Sequence, residues 1–318
     1  MSETFWSDSG GPPVIAFGGN ALLPDAADPA AAERNAIEFA HAVLRLMPAD
    51  TGMVLVHGNG PQVGSALLRN EAGAGEVPPT TLDVLVADTQ GSIGYLLGRS
   101  LHNAFLAAGR DLEVATVVTQ IVVDSGHPAM VNPTKPVGPF YSAEVGATLA
   151  VERNWRMVDV PGKGVRRVVA SPPPEEIVEI GAVRALATSG RIVITGGGGG
   201  IPVTRRDGRF VGVEAVIDKD RTGALVARTI DARGFVIFTE VGHASRGFGT
   251  PHEETLLTLT AAEAQSLLDA GEFPPGSMGP KVESCIAYAR ATGRPGIITS
   301  VQALQGALAG FDGTRIVP

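Results

Sequence analysis

Three lysines stand at positions that favour a lysine only if an anion meets it there. Lys135 lies in Asn132-Pro133-Thr134-Lys135-Pro136, between two prolines that fix φ and stiffen the loop. Lys219 is flanked by Asp218 and Asp220. Lys281 follows Gly279-Pro280 in the first turn of an expected helix, whose amino end already carries partial positive charge. Two of them have a plainer reading, a solvated loop lysine at 135 and a surface charge cluster at 218–220. Around them the chain repeats one device, a short apolar run that ends in glycine. Ile192-Val193-Ile194-Thr195 feeds Gly196 to Gly200, in which Gly197, Gly198 and Gly199 lack Cβ atoms and can present consecutive N–H groups to phosphate. Val14 to Phe17 stops at Gly18-Gly19-Asn20, and Met53 to Val56 stops at His57-Gly58-Asn59-Gly60. Asn20 and Asn59 can donate to an anion without adding charge, or each can satisfy its own backbone in an Asx turn. His57 reads as a structural histidine, because no serine or cysteine nucleophile pattern accompanies it. No Gly-Lys-Ser/Thr follows any of these turns, so there is no Walker P-loop, and the glycine run does not fill Gly-x-Gly-x-x-Gly. Phosphoryl transfer asks for positioning and charge neutralisation rather than a covalent nucleophile. The residues therefore read as those of a kinase without a P-loop.

Such groups converge only if the strands carrying them lie side by side. In open α/β sheets the ligand sits outside the carboxyl ends of the strands, where the glycine turns would gather. Helices are expected over Pro29 to Met47, with Ile37, Ala40, Leu44 and Met47 on one face, and over Leu82 to Ala108, Glu175 to Thr188, Arg221 to Ile230, Ala261 to Ala270, Lys281 to Ala291 and Val301 to Leu308. Strands are expected over the long β-branched run Val114 to Val123, over Val165 to Val169, Val211 to Val216 and Phe235 to Thr239, and at Gly296 to Thr299 and Thr314 to Val317. Between them, residues about 125–165 are rich in proline and glycine yet carry Phe140, Tyr141, Val145 and Trp155, which predicts a subdomain that closes over the site rather than a linker. Residues 1–13 read as a loose extension and 14–318 as one domain.

Composition bounds the partners. With 44% hydrophobic and 18% charged residues the chain is an ordinary globular one, and a formal net charge of −8 argues against a nucleic-acid surface. Anionic ligands must meet locally placed cations instead. A single cysteine, Cys285, excludes an internal disulfide and fits a reducing compartment. No stretch approaches the ~18 apolar residues of a membrane helix, and residues 1–13 do not read as a signal peptide, so a cytoplasmic protein is expected.

Seven segments in order resemble the motifs of the carbamate kinases, a family of the amino acid kinase fold. They are Gly18-Gly19-Asn20-Ala21, His57 to Gly64, Thr89 to Tyr95, Asn132 to Pro136, Gly197 to Val203, Val213 to Asp220, and Gly276-Ser277-Met278 with Pro280-Lys281. The resemblance spans nearly the whole chain. It implies a three-layer α/β/α sandwich with a mainly parallel central sheet and a small protruding subdomain carrying Lys135. It also implies a homodimer that interconverts ATP plus carbamate with ADP plus carbamoyl phosphate, often toward ATP. Mg²⁺ would be held mainly by nucleotide phosphates, with no metal ligand directly from the protein. By motif, Lys135, Lys219 and Lys281 would neutralise the transferring phosphoryl group, and Asp218 or Asp220 would orient them. Gly18, Gly19, Asn20, Gly58, Asn59 and Gly60, with Gly197 to Gly199, would cradle substrate and phosphate. Glu240, Val241, Phe248, Gly276 and Met278, together with Lys219 and Lys281, would meet the nucleotide. The chain departs from the pattern at Thr239 to His243 and at Phe248-Gly249-Thr250-Pro251, where the family usually supplies an acid and a lysine. The competing readings are another small-acceptor kinase of this fold, acting on a carboxylate, and a catalytically weak sensor of carbamoyl phosphate or nucleotide.

Overall fold

The structure, a computed structural model, describes residues 6–7, 9–18, 29–48, 50–274 and 276–318. The chain opens with β1 (Val14–Phe17), α1 (Pro29–Leu46), β2 (Met53–His57), α2 (Gly60–Gly73), α3 (Leu82–Ala107), β3 (Val114–Thr116) and β4 (Gln120–Val122). A middle section follows with α4 (Pro128–Val131), β5 (Lys135–Tyr141), α5 (Ala143–Glu152), β6 (Arg156–Val160), β7 (Gly164–Val169), β8 (Glu176–Ile177) and α6 (Ile180–Thr188). Then come β9 (Ile192–Thr195), β10 (Ile201–Arg206), β11 (Arg209–Gly212), α7 (Lys219–Thr229), β12 (Phe235–Phe238), β13 (Ala244–Arg246), β14 (Glu254–Leu256) and β15 (Thr258–Thr260). The last elements are α8 (Ala261–Asp269), α9 (Met278–Thr292), β16 (Gly296–Thr299), α10 (Leu304–Ala309) and β17 (Thr314–Val317).

Eight strands form the central sheet in the order β15-β17-β16-β12-β1-β2-β9-β3. All its pairings are parallel except β16 with β17. The central strands are buried on both faces, which is why they read as unbroken apolar runs rather than as an alternation. Successive side chains still point to opposite faces. Val14 and Ala16 of β1 pack with residues of α6, α7, α8 and α9, whereas Ile15 and Phe17 pack with α1, α3 and Leu304 of α10. The result is helices on both sides of one sheet, the three-layer α/β/α arrangement that was expected.

Several expectations are corrected. The buried stripe of α1 is Ala36, Phe39, Ala40, Val43 and Leu46, while Ile37 is exposed, because the helix presents its aromatic and small residues to the sheet. The run Val114 to Val123 is not one strand: β3 joins the central sheet, and β4 pairs with β10 and β8 in a separate four-stranded sheet. Glu175 to Thr188 holds the short strand β8 before its helix, and the helix expected from Arg221 begins at Lys219. Val211 to Val216 is strand only to Gly212. The amino-terminal extension is not loose where it is described. Trp6 donates through Nε1 to the Leu46 carbonyl at 2.8 Å, and Gly11 pairs with Ala232.

The subdomain is built on a three-stranded antiparallel sheet, β5-β7-β6, and extends to Val169, a few residues past its expected end. Val137 and Val169 join Val63, Leu67, Leu82, Leu85, Val86 and Val216 in a small apolar cluster that seats it on α2 and α3. Two ion pairs add to that seat, Arg153 with Glu71 at 3.2 Å and Arg167 with Glu214 at 3.1 Å.

Candidate active site

The carboxyl ends of β1, β2, β9 and β12 open into a cleft of about 340 Å³ between the sheet and the subdomain. Gly18, Gly58, Gly198, Phe238 and Thr239 bring backbone to its floor, and Lys135, Pro136, Val137 and Arg166 reach it from β5 and β7. Three helices begin at its edge, α2 at Gly60, α7 at Lys219 and α9 at Met278. The positive ends of their dipoles make this edge a natural place for an anion.

The three lysines meet here on two carboxylates. Asp220, almost wholly buried, takes the Lys219 ammonium on one oxygen and the Lys281 ammonium on the other, the latter at 3.1 Å. Lys281 also donates to the Ser277 carbonyl at 3.2 Å. Asp218 accepts from Lys135 Nζ at 2.9 Å, and as the N-cap of α7 it accepts from the Asp220 N–H at 2.9 Å. Burial pushes the Asp218 carboxyl up, but the Lys135 and Lys219 charges and the two hydrogen bonds outweigh it and hold the group well below the usual carboxylate range. Burial lowers the pKa of Lys219, against the opposing pull of Asp220. Lys135 was expected in a stiff loop; it is instead the first residue of β5, so its reach into the cleft is fixed by strand pairing with Val169.

The asparagine and histidine of the second glycine turn have structural tasks. Asn59 makes no Asx cap; its Nδ2 donates to Thr89 Oγ1 at 2.8 Å, which ties the start of α2 to α3. His57 is buried, its Nδ1 lies 3.0 Å from the Gly58 carbonyl, and burial lowers its pKa to about 4, so the ring is neutral near pH 7.

The glycine run behaves differently from expectation. It forms a 3₁₀ turn at Gly197–Gly199 in which the N–H groups of Gly199 and Gly200 donate back within the turn. Gln90 Nε2 holds the Gly197 carbonyl at 3.0 Å, and Thr222 Oγ1 holds that of Gly199 at 2.7 Å. Of the three, only Gly198 lines the cleft, so Gly197 and Gly199 are corrected to packing positions. Gly199 has φ +90, and a Cβ there would strike the Ile217 carbonyl.

Of the other expected site residues, Gly60, Asn59, Glu240 and Gly276 line the cleft with the lysines and aspartates. Val241, Phe248 and Met278 do not. Phe248 is exposed at the turn that joins β13 and β14, and Met278 packs against the core beneath α9. Gly19 and Asn20 lie outside the described residues. Arg166, Thr239 and Ser277 also line the cleft; the sequence gives Thr239 and Ser277 only as members of compared motif segments and assigns no site role to any of the three. For Arg166 the available signal was a pair of arginines inside the apolar run Val165 to Val169, since alternation must send one of them inward.

The chain matches the model of the amino acid kinase family over residues 12–300. It is 41% identical to a carbamate kinase of Trichomonas vaginalis over 96% of this chain and 99% of that one. It is 42% identical to a carbamate kinase of Thermococcus kodakarensis over 96% and 98% of the two chains. Among solved structures it resembles carbamate kinase from Giardia lamblia bound to AMP-PNP, with a TM-score of 0.90, 39% identity, and 100% and 99% of the two chains covered.

Proposed function

The chain belongs to the amino acid kinase family, and from that premise we propose that it is a carbamate kinase, which moves a phosphoryl group reversibly between ATP and carbamate to give ADP and carbamoyl phosphate. The observation that carries this reading is the pairing of Lys135, Lys219 and Lys281 with Asp218 and Asp220 where three helices begin. A carbamate oxygen attacks the γ-phosphorus while the bond from that phosphorus to the β–γ bridging oxygen breaks. The attacking oxygen is already anionic, so no general base is required, and a buried neutral His57 fits that economy. What remains is placement and neutralisation of the moving group, which the three ammonium groups and the helix amino ends supply. The aspartates hold each lysine at a set point, so little reorganisation accompanies the reaction.

In this reading the nucleotide lies along Thr239, Glu240, Gly276 and Ser277, and the acceptor lies under Lys135. Mg²⁺ would be held mainly by the nucleotide phosphates. Asp218 and Asp220 are committed to lysines, and among the described residues no group of three His, Cys, Asp or Glu side chains could hold a metal. The chemistry Mg²⁺ would supply is neutralisation of phosphate charge. We place the enzyme in the cytoplasm; among the described residues no helix is long and apolar enough to cross a membrane.

A homodimer is part of the same proposal. The outer face of α3 exposes Val84, Tyr95 and Leu106 at helical spacing, beside the edge strand β3, and Val118 is exposed just beyond it. Light scattering that gives a monomer at micromolar concentration would reject the dimer. The activity is tested by ATP formation from ADP, Mg²⁺ and carbamoyl phosphate with purified protein. Turnover is expected; its absence in a folded protein sinks the assignment.

A further inference from the structure

We propose that Arg166 is the residue that grips the acceptor end of the substrate, its guanidinium fork holding the carboxyl edge of carbamate and the carbonyl of carbamoyl phosphate. This rests on the carbamate kinase reading and goes on to name the group that selects the acceptor.

Two adjacent arginines of β7 point to opposite faces and have opposite fates. Arg167 is anchored, with its guanidinium 4.3 Å from the Trp155 ring centre and 3.1 Å from Glu214. Arg166 lines the cleft. Lys135, Lys219 and Lys281 each have a carboxylate partner, whereas among the described residues Arg166 has none. Its Nε donates to the Gly138 carbonyl at 2.9 Å, and the Phe140 ring lies 5.1 Å from its guanidinium carbon. These two contacts fix the plane of the group and leave its two terminal nitrogens for another partner. Burial works against its charge.

The backbone is shaped to allow this. Pairing of β5 with β7 runs from Val137 opposite Arg167 to Phe140 opposite Arg166, so Gly138 and Pro139 bulge out of register. Gly138 has φ +70, a conformation suited to glycine, and its carbonyl is the one that takes Arg166 Nε. Bulges of this kind re-aim a side chain beside a site.

The substrate chemistry fits the fork. Carbamate is planar with two oxygens on one edge, which a guanidinium can meet with two parallel hydrogen bonds and an ammonium cannot. When carbamoyl phosphate donates to ADP, the O–P bond to the carbamoyl oxygen breaks, a bond to the β-phosphate oxygen of ADP forms, and negative charge returns to the carbamate carboxyl. Arg166 sits to receive that charge as it develops, so it serves the transition state more than the ground state.

The experiment compares wild type with Arg166→Gln and Arg166→Lys in ATP formation, and compares inhibition by phosphonoacetamide and methylphosphonate, which share a phosphonate but differ in the carbamoyl group. For Arg166→Gln, kcat/KM for carbamoyl phosphate is expected to fall by about 100-fold or more, as for loss of a preorganised donor, with the KM for ADP unchanged. Wild type should prefer phosphonoacetamide, and the variant should lose that preference while binding methylphosphonate as before. Arg166→Lys should recover less than about tenfold, because one ammonium does not reproduce the fork. Unchanged turnover, equal weakening of both phosphonates, or a raised KM for ADP overturns the proposal; the last two would put Arg166 on a phosphate. A wild-type protein that does not turn over carbamoyl phosphate fails the kinase assignment itself, a result seen before any variant is made.

Discussion

Truncation of Lys219 to alanine isolates the electrostatic argument for the cleft. Its side chain is 13% exposed and its ammonium is bonded to Asp220, whose side chain is 3% exposed. A unit charge about 4 Å from a phosphoryl oxygen interacts with it by about 4 kcal/mol at an effective dielectric constant near 20. Loss of a preorganised donor to a developing charge costs ~2.7–4 kcal/mol, or about 100- to 1000-fold in rate. The two estimates agree, so kcat should fall within that range. Folding should survive. Asp220 keeps Lys281 at 3.1 Å, so no buried carboxylate is left alone, and Lys219 stands at the first residue of α7, where a cation works against the helix. The assay is ATP formation from ADP and carbamoyl phosphate, with thermal unfolding as the control. The loss should appear in kcat and not in the KM for ADP, because the charge matters most while the phosphoryl group is in transit. A folded Lys219→Ala protein that keeps turnover within about threefold of wild type would refute the reasoning, since an effect that small is far below any estimate above.

His57→Gln should flatten the stability profile on the acid side. The folded pKa of His57 is lowered from 6.5 to about 4, so its contribution is complete above pH 6.5 and is lost as pH falls toward 4, by up to about 3 kcal/mol. Urea unfolding of both proteins between pH 4 and 7 measures it, and parallel profiles would reject the buried neutral ring. Gly198→Ala should destabilise the fold by about 1–3 kcal/mol and reduce turnover, because φ there is +68 and a Cβ would collide with the Asn59 side chain that Thr89 holds. Thermal unfolding and the same assay check it; a variant with wild-type stability would mean that this turn has slack.

The parts of the site legible in sequence are those whose signal is local. A glycine after an apolar run marks a strand end, and Lys219 between two acids marks a charged turn, whatever the rest of the chain does. Lys281 was legible because it sits in a first turn, where a lysine is unfavourable. What escaped were properties of pairing. The cut of Val114 to Val123 into β3 and β4, in different sheets, depends on which neighbours each half finds, and β-branched composition is equal on both sides of the break. Ile37 has the spacing of a core residue, yet the stripe one residue earlier fits the sheet through Phe39, whose ring is tilted against that of Phe17 with centres 4.0 Å apart. Arg166 escaped because its direction is set by a bulge between β5 and β7, and a bulge is a register property of two strands about 28 residues apart. The glycine run was over-read for the converse reason. Its composition allows an open row of donors, but Gln90, Thr119 and Thr222 fold it into a closed turn.

The pairing of every cleft lysine with an aspartate also bears on turnover. A protein of net charge −8 draws no anion by its overall field, so attraction must be local. Four cationic side chains and three carboxylates line the described cleft, Lys135, Lys219, Lys281 and Arg166 against Asp218, Asp220 and Glu240, which leaves a small positive excess. A cleft with the lysines alone would hold carbamoyl phosphate and ADP more tightly in the ground state, and uniform binding of that kind lowers KM without raising kcat. The aspartates reduce that ground-state attraction while fixing each ammonium where the phosphoryl group passes. Arg166 is the one cation left without such a counterweight, and it faces the acceptor, the smallest participant and the one with the least other surface to be held by.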